Sequence, residues 1–300
     1  MHSVIARIAS QATRTATVLA VLSGLSFATA AQAQRDRRDG RDTRDTRDSR
    51  DDRDARENSQ SGYSWTGSIS NGRSIIIKNI NGPIRVEHST SGKVEVTADK
   101  HWRRGNPADV RIEQPSARNG DVLICAMWNP ESTCDEDGIH SPRNNRNSNN
   151  DNHNDVSVSF VVRVPDGIRV DINTVNGALD VSGATREVYA NTVNGTISAR
   201  TSGGPVHAKT VNGSISVSMN SVANSDDLDY ETVNGSITLE LPQNFGAQLE
   251  LATVNGRVST DFPITVVGTF SPRKLRGTIG NGAARVRAST VNGSVTLRRN

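Results

Sequence analysis

A chain of 300 residues with 4% aromatics and 22% charged residues carries its apolar content on Val, Ile, Leu and Ala. That suits thin, stacked β-structure better than a thick core built on Phe and Trp. The formal charge of +3 falls close to zero once Arg7 and Arg14 are discounted with the segment that holds them. On net charge, nucleic acid and anionic membranes are therefore excluded as partners.

The opening reads as an export signal. Arg7 and Arg14 precede an apolar run over 16–31, and Ala31-Gln32-Ala33 places small residues at −3 and −1 of a cleavage site. This order predicts a signal peptide over 1–33, cut near Ala33-Gln34. The run contains Ser23, Gly24 and Ser26 and falls short of the roughly 20 apolar residues that span a bilayer. No membrane span is expected in the mature chain. The predicted address is the periplasm, the cell surface or the extracellular space.

Residues 34–60 follow as a predicted disordered linker. Between 35 and 57 stand nine Arg and nine acidic residues, with no apolar face at helical or strand spacing. Such a segment has nothing to bury against its ordering entropy.

An all-β domain is expected over 61–300. Strands are predicted at 64–70, 74–80, 84–88, 93–98, 110–114 and 122–127, separated by Asn-Gly, Ser-Gly and Gly-Asn-Pro turn signals. An insert over 129–155, rich in Asn, Asp, Ser and Pro, is predicted to be a disordered loop. Cys134 lies in its first part and Cys125 just before it. They are the two cysteines of the chain, and in an exported protein they predict a disulfide at the root of the loop. Asp135-Glu136-Asp137-Gly138 is similar to a fragment of a calcium loop but lacks the ligand ladder and the distal Glu. The six His do not pair at metal-ligand spacing. No metal, cofactor or catalytic residue is expected.

The dominant feature is Thr-Val-Asn-Gly, which begins at 174, 192, 210, 232, 253 and 290. The steps are 18, 18, 22, 21 and 37 residues. The longest is close to two periods and contains a degenerate copy at 278–282. Asn79 to Val86 is a diverged earlier copy. A fixed period near 20 signals a repeat architecture.

Two folds compete for this pattern. Asn-Gly between alternating strands is a strong hairpin signal, which would give an antiparallel meander. The alternative is a single-stranded β-solenoid (a parallel β-helix) with coils of about 18–22 residues, each Asn-Gly being a corner. Val175, Val193, Val211, Val233, Val254 and Val291 are identical without reason in a hairpin, whereas a solenoid stacks them into one buried column. Pro83 sits where a hairpin needs an N–H. The pairs Asn176-Gly177, Asn194-Gly195, Asn212-Gly213, Asn234-Gly235, Asn255-Gly256 and Asn292-Gly293 would form a structural corner ladder. Their amides would bond down the stack at about 4.8 Å, and each Gly would supply a positive φ. The solenoid is the preferred fold. Arg298 and Arg299, after Leu297, would guard one open end by charge.

The Thr-Val-Asn-Gly copies are followed by Ala178-Leu179-Asp180-Val181, Thr196-Ile197-Ser198-Ala199 and Ser214-Ile215-Ser216-Val217. With the lead-in from Val156 to Ile168, these residues resemble the bacterial "putative adhesin" family of β-strand-repeat domains, a domain of unknown function. The resemblance covers 156–300 most closely and 61–128 more loosely. It implies a single-stranded β-helix exposed outside the cytoplasm, and it brings no catalytic residues. The expected function is thus that of an exported, non-enzymatic adhesin or envelope interaction module. Its partner would be an unidentified envelope protein or polysaccharide. The alternative is a polysaccharide-active β-helix enzyme, for which paired carboxylates would be needed; Asp226, Asp227 and Asp229 cluster only in one connector. A lattice-binding Thr ladder is disfavoured because Thr174 shares its parity with Ile172.

Overall fold

The computed structural model describes residues 57–141, 154–223, 226–266 and 271–300. The predicted signal peptide, residues 34–56 of the predicted linker and residues 142–153 of the predicted insert lie outside the described residues.

Alternation of apolar and polar residues sets the strands. The first are β1 (Asn58–Gly67), β2 (Ser74–Lys78), β3 (Ile84–His88) and β4 (Val94–Trp102). Then come β5 (Arg111–Glu113), β6 (Val122–Met127), β7 (Thr133–Asp135), β8 (Gly138–His140) and β9 (Ser157–Val164). The repeat contributes β10 (Arg169–Asn173) and β11 (Leu179–Ala184), β12 (Val188–Asn191) and β13 (Ile197–Thr201), β14 (Val206–Lys209) and β15 (Ile215–Met219). It continues with β16 (Asp227–Asn234) and β17 (Ile237–Leu241), then β18 (Ala247–Asn255) and β19 (Val258–Thr260). The chain closes with β20 (Thr265–Val266), β21 (Lys274–Ile279), β22 (Ala284–Asn292) and β23 (Val295–Arg299).

Among the described residues these strands form two large sheets and one small hairpin, and neither sheet closes into a barrel. One sheet runs β1-β4-β9-β3-β11-β13-β15-β17-β23-β19, the other β20-β21-β18-β22-β16-β14-β12-β10-β2-β6-β5. The strands flanking the Asn-Gly of each Thr-Val-Asn-Gly copy belong to different sheets and do not pair with each other. Each pairs in parallel with its equivalent one repeat away, as Val170, Ile172 and Asn173 do with Val188, Ala190 and Asn191. The meander alternative is therefore corrected for this region. The chain advances by two-strand rungs, one strand in each sheet.

The core lies between the sheets and is built from like residues stacked on like. Leu179, Ile197, Ile215, Ile237, Val295 and Val258 form one inward column through successive pairings, and all are buried. Tyr230 is buried between Ala208 and Ala288 on the adjacent strands. Two small neighbours leave the volume that the large ring fills. Outward positions, such as Ser216 and Ser218 of β15, are polar and stay partly or fully exposed. This is the period of two expected of strands buried on one face.

The two ends depart from this order. The rung β2/β3 lies between β10/β11 and the rung made by β6 and β9, although β6 and β9 come later in the chain. At the other end β22/β23, the last rung in sequence, lies between β16/β17 and β18/β19. Antiparallel strands complete both ends: β4 on β9, β1 on β4, β5 on β6, β21 on β18 and β20 on β21. Pairing is thus mixed. The degenerate repeat at 278–282 is corrected to the end of antiparallel β21 and the following turn at Gly280 and Gly282, both with positive φ. The end-guard role of Arg298 and Arg299 is corrected too, because β23 is flanked on both sides.

Part of the predicted disordered insert is ordered. β7 and β8 form a hairpin that covers the outer side of β2 and β6, where Ile76, Leu123, Cys125 and Met127 make a second small core with Cys134 and Ile139. Burial on both faces explains the unbroken apolar runs of β2 and β6. A disulfide joins Cys125 to Cys134. It closes a short loop over this cover, worth about 2–3 kcal/mol in the loop-entropy account.

Candidate functional site

The repeated corner is the natural place to look first. Its threonines, not its valines, face inward. Thr174, Thr192, Thr210, Thr232, Thr253 and Thr290 are all buried. Each hydroxyl donates to the glycine carbonyl of a neighbouring rung: Thr192 to Gly177 at 3.0 Å, Thr210 to Gly195 at 3.0 Å, Thr232 to Gly213 at 2.9 Å. Thr290 donates to Gly235 at 2.8 Å, Thr253 to Gly293 at 2.7 Å and Thr174 to Gly82 at 3.2 Å. A buried hydroxyl needs such a partner, and here every corner provides one.

The expected buried valine column is a correction. Val175, Val193 and Val291 are each 39% exposed and Val254 56%, while Val211 and Val233 are half-buried. The strand simply continues its alternation through the motif, so a residue next to an inward Thr must point out. That signal was legible: Val170, Ile172 and Thr174 share one parity. Identity of the six valines argues for burial, but residues on the outside of a stack are repeated as readily as those within it.

The asparagines form a column on the surface. Asn194 donates from Nδ2 to Oδ1 of Asn176, Asn212 to Asn194 and Asn234 to Asn212, each at 2.8 Å. Asn292 donates to Asn234 at 2.7 Å and Asn255 to Asn292 at 2.8 Å. Asn81, in the diverged copy, meets a rung without this corner and donates instead to the carbonyl of Val156 at 2.9 Å.

The glycines answer to a different constraint from the predicted one. Gly293 does have a positive φ of 154°, but Gly177, Gly195, Gly213, Gly235 and Gly256 do not. A Cβ at Gly195 would lie 1.9 Å from the carbonyl oxygen of Gly177, and one at Gly213 1.9 Å from that of Gly195. Backbone stacks directly on backbone here, so the reason for glycine is close approach.

The outer face of the second sheet carries most of the charge pairs. Arg169 meets Glu187 at 3.5 Å, Lys78 meets Asp171 at 3.8 Å, and Lys209 bridges Asp229 at 2.9 Å and Glu231 at 3.6 Å. Burial works against the Lys209 charge, but its hydrogen bond to Asp229 and the two carboxylates raise its pKa overall. Tyr189 stacks on His207 with centroids 4.6 Å apart and donates to Glu187 at 2.9 Å. Burial, then Glu187, pushes the Tyr189 phenol up to about 12. Burial lowers the His207 pKa against the pull of Glu187. Glu250 pairs with Arg276 and, at 3.6 Å, with Arg287; the Arg276 hydrogen bond holds its carboxyl below the usual range.

The connector acids are engaged likewise. Asp226 accepts from the Ala223 amide at 2.8 Å, and Asp227 meets Arg285 at 3.9 Å. The acidic turn at 135–138 is the tip of the β7–β8 hairpin, where Asp135 accepts from the amides of Asp137 and Gly138 and from His140. Among the described residues no group of three or more His, Cys, Asp or Glu is placed to hold a metal ion. Among them, too, no helix is long and apolar enough to cross a membrane.

The family profile of Toastrack DUF4097 matches residues 74–298. The chain belongs to this family. The match runs from the first residue of β2 into β23, and so takes in every rung described above. No curated protein matches the chain. Among solved structures, a "putative cell adhesion protein" from Clostridium sporogenes is 12% identical with a TM-score of 0.44, covering 80% of this chain and all of that one. A "putative adhesin" from Bacteroides fragilis is 11% identical with a TM-score of 0.28, covering 79% and 96%. Another from Parabacteroides distasonis is 9% identical with a TM-score of 0.22, covering 82% and 98%.

Proposed function

We propose that this chain is an exported, non-enzymatic β-solenoid that presents a binding surface in the cell envelope, in the manner of an adhesin. The signal over 1–33 would direct it to the periplasm or the cell surface. In this reading the parallel rungs are solenoid coils, and the antiparallel strands at either end cap their open edges.

The observation that carries the reading is that the residues repeated in every corner bond to one another. The Thr hydroxyls take the Gly carbonyls and the Asn amides take each other. The motif is then scaffold, and recognition falls to the outward residues that differ from rung to rung. The carboxylates support the same conclusion. A glycoside-cleaving general acid needs a raised pKa, and Glu250, Asp135 and Asp155 are instead held low, by Arg276, His140 and the Gly105 amide respectively, so none of these three suits that role.

The test is a binding assay of the purified mature protein against isolated envelope polysaccharide and envelope protein, run beside a depolymerisation assay on the same polymers. Saturable binding without new reducing ends is expected. Depolymerisation would overturn the reading, as would an absence of binding to every envelope fraction.

A further inference from the structure

The net charge conceals a strong segregation along the chain. Residues 154–245 hold five Arg or Lys against ten Asp or Glu. Residues 246–300, which form β18 to β23, hold eight Arg or Lys against two acids, Glu250 and Asp261. The stacking order brings these strands together at one end of the two sheets. Two clefts open there. One, of about 520 Å³, is lined by Gly256, Arg257, Ser271, Pro272 and Arg273. The other, of about 340 Å³, has Arg276, Arg285 and Arg287 along its walls with Gln248 and Thr278.

Glu250 offsets part of the charge in the second cleft through Arg276 and Arg287, and Asp227 meets Arg285 at 3.9 Å. No carboxylate among the described residues forms an ion pair with Arg257 or Arg273. Like charges gathered in this way cost stability unless an anion reduces their repulsion, and they raise the local concentration of anions.

From this we infer that the end formed by β18 to β23 binds an anionic polysaccharide, with Arg257 and Arg273 in one cleft and Arg276, Arg285 and Arg287 in the other. The guanidinium fork suits carboxylate and sulfate groups, and the polar neighbours Ser271, Gln248 and Thr278 suit sugar hydroxyls. A bilayer would demand large apolar side chains beside the cations for insertion, and single-stranded nucleic acid would demand exposed aromatic platforms. The two Phe described at this end, Phe245 and Phe262, are buried, and the exposed apolar side chains there are the short valines Val254, Val266 and Val291. The inference rests on the non-enzymatic binding function proposed above and names its partner class.

The experiment measures binding of the purified full chain to alginate and to dextran sulfate. Neutral dextran, phosphatidylglycerol vesicles and oligo-thymidine serve as the other arms. Binding to the two polyanionic sugars that weakens steadily as salt is raised is expected, because counterion screening sets its strength. Arg257→Gln with Arg273→Gln and Arg285→Gln should weaken it roughly tenfold or more. The matching Arg→Lys triple should retain most of it, and Lys93→Gln, an exposed cation just before β4 at the opposite end of the first sheet, should leave it unchanged. Circular dichroism melts establish that each variant is folded; should the Gln triple unfold, Arg257→Gln with Arg273→Gln alone decides the matter.

Unchanged binding by the folded Gln variant would overturn the inference. So would tighter binding to vesicles or oligo-thymidine, or no binding to either anionic sugar at low salt. Wild-type and Gln variants that bind envelope fractions equally would sink this site and leave the proposed function standing. A wild type that binds neither envelope nor polyanion would sink both.

Discussion

The middle of the stack and its two ends use the same rung in different ways. From β10/β11 to β16/β17 each rung rests on the one before it in sequence, with Leu179, Ile197, Ile215 and Ile237 in register. At the ends a later segment enters a gap left by earlier ones. β9 fills the space between β3 and β4, and β22/β23 fills the space between β16/β17 and β18/β19. The middle can form by local addition, whereas the ends depend on contacts between distant parts of the chain, which are slower to close. Repetition therefore sets register, but it does not set order in space.

Deletions test this difference most severely. Removing residues 284–300 takes out the rung that joins β16/β17 to β18/β19, and it should abolish cooperative folding of the C-terminal end, seen as early proteolysis of 246–283 and a broadened melt. Removing residues 192–209, one whole repeat, should leave a shorter but cooperative stack, because residue 191 then leads into the same corner at Thr210. If the two deletions behave alike, the contrast fails.

Within the middle, Gly195→Ala should destabilise by about 3 kcal/mol or more in denaturant melts. The new Cβ meets fixed backbone at Gly177, and backbone cannot yield as a side chain does. The inversion of the corner predicts the next effect. Thr210→Val should cost about 1–2 kcal/mol by stranding the Gly195 carbonyl, while Val211→Thr should stay within about 0.5 kcal/mol. The opposite ranking would restore the buried-valine arrangement.

Tyr230→Phe should be neutral or raise Tm slightly. The Tyr230 hydroxyl is buried and has no hydrogen-bond partner among the described residues, and loss of an orphaned polar group removes a penalty. The smallest effect concerns pH. Burial lowers the His207 pKa, so the folded state resists a proton that the unfolded chain accepts below about 6.5. Above that pH both states are neutral and the residue contributes no pH dependence. Below it, stability falls until the lower folded pKa is passed. Melts taken from about pH 7.5 to pH 5 should therefore decline less in His207→Gln than in the wild type.

Much of this was readable from local pattern. Strand positions from β1 to β6 and through the repeat followed from apolar alternation and turn residues, because those depend on near neighbours. The start of β1 at Asn58 and the β7–β8 hairpin were not readable. Ser59, Gln60 and Thr133 show no apolar alternation, and what orders them is pairing with Lys100, His101 and His140 on other strands. The clustering of Arg257, Arg273, Arg276, Arg285 and Arg287 was hidden for another reason: a net charge averages over the chain, and only the stacking order gathers these cations at one end.

Apolar parity and repeat period are enough to specify an all-β chain of stacked repeats, since both are properties of the strand and its nearest neighbours. Parity alone also determined that the corner threonines point inward. The exchange of Asn255 and Asn292 in the column, the place of β22/β23 inside the stack and the need for glycine at backbone contacts emerge only when the rungs are assembled. Each of these depends on which rung lies next to which. Six nearly identical corners pair almost equally well in any order, so that choice is made by the unrepeated strands at the ends.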